Sequence, residues 1–188
     1  RDDLKMEPVD KVTLYTLKES DIISRVNIGK RKSGRKIKIS YMTGMEDHIK
    51  VVASEQTGKG QYGCYVSTAM LDTNHLYVGQ QIAFEDYKDK NEQPIELTIE
   101  GVFEEKTSDD RYWVKAPLEY TENVFVTEDT WKEILAKNDG KVTIRCNAYY
   151  LYDYTKLKAK QIPHFSAVLK RYEKAGFTDP KVAAAAEC

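Results

Sequence analysis

Gly58, Gly60 and Gly63 spell G-x-G-x-x-G, the spacing with which a glycine loop brings its backbone to a dinucleotide pyrophosphate. That chemistry needs the last glycine to open a helix, because the helix N-terminus holds the phosphate. Here Gly63 runs into Cys64, Tyr65 and Val66, a β-type sequence, so the glycines read as a loop. The P-loop pattern G-x-x-x-x-G-K-[ST] does not occur, and this chain is not expected to hydrolyse ATP. Lys30, Arg31, Lys32, Arg35 and Lys36 crowd around Ser33 and Gly34. Such a cluster can hold phosphate-bearing lipids or cell-wall polymers at about 1 kcal/mol per charge. A solvated hairpin tip explains it without any ligand, and that reading is preferred.

Asp86, Asp89, Asn91 and Glu92 have the composition of a calcium loop. A calcium loop alternates oxygen ligands at positions 1, 3 and 5. Counted from Asp86, the next two such positions are Lys88 and Lys90, whose ammonium groups repel a cation, so a solvated turn is expected. Glu104, Glu105, Asp109 and Asp110 read as an exposed acidic loop. His48, His75 and His164 are isolated, with no H-E-x-x-H or C-x-x-C spacing to suggest zinc. No G-x-S-x-G elbow marks a nucleophile. Tyr149, Tyr150, Tyr152 and Tyr154 can line a recognition surface, but a Tyr-rich strand with one wet face accounts for them without a ligand, and that reading is preferred. Cys64, Cys146 and Cys188 form an odd set. The run Val142, Ile144, Cys146, Ala148, Tyr150 predicts a buried Cys146 thiol. An oxidising compartment would permit a Cys64–Cys146 bridge instead. No catalytic, cofactor-binding or metal-binding residue is assigned.

The elements that must position these residues are mostly strands. Val12 and Leu14 share one face of a strand over Lys11–Leu17, with Tyr15 and Leu17 on the other, as in the middle of a sheet. Ile22, Ile23, Val26 and Ile28 fit neither the helical nor the strand period. Ile37, Ile39 and Tyr41 point inward from a strand ending at Met42, with Lys36, Lys38 and Ser40 outward. Ile49–Ala53 is another strand. Tyr62–Val66 leads to Ser67, an N-cap for a helix carrying Met70 and Leu71 that Asn74 and His75 end. Val78 and Gly79 open a strand in which Ile82 and Phe84 share a face. Lys88 to Gln93 turn the chain, and Ile95, Leu97 and Ile99 alternate with Glu96, Thr98 and Glu100. Gly101 marks a bulge or a close backbone approach. After Val124-Phe125-Val126, Thr127 caps a helix with Glu128 and Asp129 at its positive end and Trp131, Ile134 and Leu135 as its buried stripe. Asn138, Asp139 and Gly140 stop it. Lys141–Tyr152 is the longest strand candidate. Phe165, Val168, Leu169 and Tyr172 form the stripe of a last helix that Gly176 ends. Pro163 either opens that helix or kinks one begun at Thr155.

Length and charge bound the function. A chain of 188 residues buries a core of its own. With 29 basic and 30 acidic residues, no net field favours nucleic acid. No apolar run approaches the ~20 residues of a membrane span. The chain starts at Arg1 rather than Met, so it reads as a processed product or an excised piece.

The ordered series Val66-Ser67, His75-Leu76-Tyr77-Val78-Gly79-Gln80-Gln81-Ile82, Ile99-Glu100-Gly101-Val102 and Val124-Phe125-Val126 resembles one family. It is similar to the extracytoplasmic core domain, of MacB-like type, of FtsX-like ABC-transporter permeases. Gln80 departs from the family's usual Asp. The element order matches over residues 10 to 175, the detail mainly over 63 to 135. The resemblance implies an α+β fold: a mixed β-sheet packed by short helices, with a β-rich extension within residues 19–60. It divides the chain into a lead-in from a membrane segment (1–10), the domain (11–176) and a flexible tail (177–188). It implies a non-catalytic domain on the outer side of a bacterial cytoplasmic membrane, with transmembrane helices on both flanks. A separate cytoplasmic ATPase would supply the work, the permease would be homodimeric or paired, and a peptide, a lipid or a cell-wall protein would be engaged. Efflux of peptides or antimicrobials, lipoprotein handling and control of cell-wall hydrolases are the roles this opens. The competing reading is a secreted or surface binding module, an adhesin or a carbohydrate- or peptide-binding domain, with exposed Tyr and Trp113 as its platform.

Overall fold

Alternating aliphatic residues dominate the strands, and they close a sheet on itself. The computed structural model describes residues 4, 6–26, 29–54, 62–108, 110–138 and 142–174, and their side chains apart from those of 24–35, 154 and 173. The elements run β1 (Asp10–Leu17), β2 (Ser20–Val26), β3 (Gly29–Met42), α1 (Met45–His48), β4 (Ile49–Ser54), β5 (Tyr62–Ser67), α2 (Thr68–Asn74), β6 (Gln81–Lys88), β7 (Pro94–Glu105), β8 (Asn123–Phe125), α3 (Glu128–Lys137), β9 (Ile144–Leu151) and α4 (Ile162–Lys174). The chain divides into two units: residues 12–148, and the two terminal stretches 1–11 and 149–188 together.

In the larger unit the sheet order is β2-β6-β7-β5-β8-β3-β1-β9. A further β2–β3 pairing joins two members of that path. The strands β2, β6, β7, β5, β8 and β3 therefore form a closed ring. The sheet is mixed, as expected: β5 runs parallel to β7 and β8 parallel to β3, while the other ring contacts are antiparallel. Closure leaves the ring no free edge of its own. Ile22, Ile37, Ile39, Ile82, Phe84, Ile95, Leu97, Ile99 and Val124 are all fully buried in one cluster, to which Trp131 and Ile134 of α3 and Met70 of α2 also belong. Residues 19–60 supply β2, β3 and β4, each hydrogen-bonded into this same sheet.

Most local expectations hold. The Ser67 hydroxyl accepts from Met70 N–H and caps α2, and His75 ends it at φ 50°. Thr127 caps α3 through Thr130 N–H. Strand β7 is bulged at Glu100, between the Cys64–Ile99 and Tyr65–Gly101 pairs. A Cβ on Gly101 would lie 3.0 Å from the Ala53 carbonyl, so the bulge and the close approach coexist there. The ambiguous segment after Asp21 is strand β2, and Pro163 opens α4 as its second residue.

Five expectations change. Ser40 is fully buried rather than outward-facing, because both faces of β3 are covered; its hydroxyl donates to Thr16 Oγ1 and accepts from Asn123 Nδ2. Cys146 is exposed, because β9 pairs with β1 at the end of the sheet order and its face lies open. Cys64 is buried and both thiols are free, so no Cys64–Cys146 bridge forms. The longest strand is β3, with 14 residues against 8 in β9. The strand after Val78-Gly79 begins only at Gln81. Gly79 sits at φ 85° in a turn that the Gln80 side chain closes by accepting from Tyr77 N–H. Gly140 and Gly176 lie outside the described residues.

Candidate functional site

The described residues include most of the sequence-predicted groups. Gly58 and Gly60 lie outside the described residues. Gly63 is a strand residue opposite Thr98, and the Glu100 carboxylate occupies the space in front of it, so no anion cradle opens there. Lys30, Arg31 and Lys32 fall on β3 opposite β2, at the hairpin tip; their side chains and that of Arg35 are outside the described set, while Lys36 is exposed. The Asp89 carboxylate accepts from Asn91 and Gln93 N–H and so closes its own turn. Lys88 sits 3.4 Å from Glu92 there. Among the described residues, no three His, Cys, Asp or Glu side chains gather as a metal site.

Two residues depart from their expected roles. Asp110 is not part of a solvated acidic loop, and His48 is not isolated. The His48 Nδ1 lies 2.7 Å from Asp110 Oδ2, across 62 residues of chain. Tyr112 stacks on the imidazole at 3.9 Å, and its own N–H donates to the other Asp110 oxygen. Burial pushes the Asp110 carboxyl upward. The His48 hydrogen bond, the Tyr112 N–H and the positive charges of His48 and Lys106 outweigh it and hold the carboxyl below its ordinary range. Burial drives the Tyr112 phenol well above the ordinary tyrosine range, with nearby Glu46 adding to the effect. Its hydroxyl donates to the Thr43 carbonyl at 2.9 Å.

These contacts fasten a strap, residues 106–108 and 110–122, across the outer face of the ring. Trp113 Nε1 donates to the His48 carbonyl, and Lys106 N–H donates to that same carbonyl. At the far end the Ser67 hydroxyl donates to Tyr120 O, and Asn74 Nδ2 donates to Thr121 O. Beneath the strap an aromatic stack replaces aliphatic packing. Phe103 stacks on Trp113 at 5.8 Å and meets Phe125 edge-on at 5.5 Å, and Tyr120 meets Phe125 edge-on at 5.3 Å. Trp113 is only 8% exposed, so it is not the open platform that the binding-module reading needs. The imidazole's contacts are a carboxylate and an aromatic ring, and the arrangement works as a fastening.

The smaller unit holds the two terminal stretches together. Val9 N–H donates to Leu151 O at 2.8 Å, and Lys18 N–H, in the larger unit, donates to Thr143 O at 3.3 Å. The chain therefore enters along β1 and leaves along β9, its antiparallel neighbour. Tyr152 meets Phe165 of α4 edge-on at 6.4 Å, and Val168 is buried. A cavity of about 400 Å³ is lined by Met6, Pro8, Val9, Asp153, Lys156 and Lys158 among others. Of the four tyrosines, Tyr150 is exposed, Tyr149 and Tyr152 are half-buried, and the Tyr154 side chain is outside the described set. No helix among the described residues is long and apolar enough to cross a membrane. Sequence reasoning missed the strap because its signal is a pairing of residues far apart, with no periodicity to reveal it.

No protein-family model matches the chain, and no curated protein matches it significantly. Among solved structures, it is similar to the extracellular domain of the noncanonical ABC-type transporter YknZ from Gram-positive bacteria. The identity is 14%, the TM-score 0.39, and the match covers 88% of this chain and 77% of that one. At that level the likeness carries no argument about role.

Proposed function

We propose that this chain is the extracytoplasmic domain of an ABC-transporter permease, catalyses no reaction itself, and passes motion from the membrane to a bound substrate or partner. The observation that carries the reading is the shared unit of the two terminal stretches, joined from Val9 to Leu151. A domain hung between two membrane segments must receive and return its chain at one place. A secreted module has no such requirement. Displacement applied to one terminal stretch reaches β1, which is bonded to β3 of the closed ring. A ring without a free edge deforms less than an open sheet under that load. The expected partners are a cytoplasmic ATPase reached through transmembrane helices and a second permease copy. The ligand is a peptide, a lipid or a cell-wall protein.

The test is topological. In cells making the full protein, Cys146 and an added Lys115→Cys, both at exposed positions, are offered a membrane-impermeant maleimide. Labelling of Lys115→Cys in intact cells, with the protein remaining in the membrane pellet after an alkaline wash, is expected. Labelling only after permeabilisation would overturn the reading, and release into the medium would favour the secreted module.

A further inference from the structure

We propose that the outer face of α4 docks on an anionic lipid surface. This rests on the reading above, which brings the smaller unit next to a membrane. The charge of that region points the same way by itself. Residues 149–174 carry Lys156, Lys158, Lys160, Lys170, Arg171 and Lys174 against Asp153 and Glu173, a balance of +4 in a chain whose total is −1. All six cations are exposed.

The helical period sorts α4 into two faces. Phe165, Val168, Leu169 and Tyr172 form one stripe, within which Val168 is buried and the other three are half-buried. Pro163, His164, Ala167, Lys170, Arg171 and Lys174 fall on the opposite face, which bears no carboxylate. Two of its cations stand in the last turn. Ile162, at the start of α4, is 54% exposed and offers an apolar contact beside the charges. Since the apolar stripe faces inward, the attraction is electrostatic, with the helix lying along the headgroups. Among the described residues, the opposing carboxylates of the unit are Asp153, which holds Lys156 at 3.4 Å, Glu173 of α4, and the exposed Glu7 and Asp10 of the incoming stretch.

The experiment is co-sedimentation of the 188-residue chain with vesicles of phosphatidylglycerol mixed into phosphatidylcholine. Binding to the anionic vesicles, none to pure phosphatidylcholine, and loss of binding at high salt are expected. The variant Lys170→Gln/Arg171→Gln/Lys174→Gln should bind about 100-fold more weakly. A control with Lys50→Gln, Lys90→Gln and Lys115→Gln should bind as the parent does. All six positions are exposed, so both variants should melt like the parent. Failure to bind anionic vesicles, equal binding by the α4 variant, or equal loss in the control overturns the proposal. So does displacement by inorganic phosphate at constant ionic strength, which would mark a small anion site. A chain that labels from outside the cell yet ignores vesicles sinks this inference and leaves the reading of function standing.

Discussion

The interior of the ring and the stack beneath the strap are both buried, yet they are built on different principles. Inside the ring the side chains are mostly aliphatic, supplied every second residue by paired strands, and fixed by backbone ladders. Beneath the strap they are Phe103, Tyr112, Trp113, Tyr120 and Phe125, held by side chains that bond to backbone carbonyls many residues away. The first core needs only the right alternation. The second needs particular groups at particular places, because Tyr and Trp each bring a polar atom that must find a partner when buried. The interior is therefore expected to set global stability, and the strap to open separately.

The sharpest test compares one aromatic from each region. Phe84→Ala empties a fully buried site in the ring and should cost about 3–5 kcal/mol, read as a lower urea midpoint for the whole domain. Trp113→Ala should cost about 3 kcal/mol, with hydrogen-exchange protection lost first over residues 106–122 while β6 and β7 amides stay protected. Equal loss in both places would erase the distinction. Gly101→Ala crowds the Ala53 carbonyl at 3.0 Å and the Val51 and Tyr65 side chains, and should cost about 1–2 kcal/mol. The three atoms nearest a Cβ on Gly63 all belong to the movable Glu100 carboxylate, so Gly63→Ala should be milder in the same denaturation assay. Ser67→Ala removes a helix cap and the bond to Tyr120 O together. About 1 kcal/mol is expected from the cap, and more if the strap contact adds to it.

The smallest effect concerns pH. The Asp110 carboxyl lies below its ordinary value of 3.8 in the folded chain. The unfolded chain therefore binds the proton more readily, and stability rises with pH through this window. The contribution is complete well above pH 3.8 and drains away as pH falls through the lower folded value. Asp110→Asn should flatten that acid limb in a pH series of thermal melts. An unchanged limb would show that the His48–Asp110 pair contributes nothing to holding the strap.

How much was legible follows from where each signal lives. The caps at Ser67 and Thr127, the inward set Ile37, Ile39 and Tyr41, the alternation Ile95-Leu97-Ile99 and the constraint at Gly101 are local, and each stands where its neighbours in sequence put it. Alternation also misled. The apolar face through Cys146 is an open face of the strand at the end of the sheet order, and the polar Ser40 is central. A strand's pattern reports which residues share a face, never whether anything covers it. The same limit hid Asp110, whose acidic neighbours suggested solvent while His48 waited 62 residues away.

By itself, then, the sequence determined the identity of most strands and helices, the turns and caps, and an aliphatic interior, because these depend on backbone preference and on spacing along one segment. Only the tertiary structure decided that β2 meets both β3 and β6 and so closes the ring, that the strap is pinned through His48, and that the two ends of the chain share a unit. The physical reason is that these rest on pairings between distant segments. Their energy comes from ladders and contacts that exist only after the intervening chain has folded.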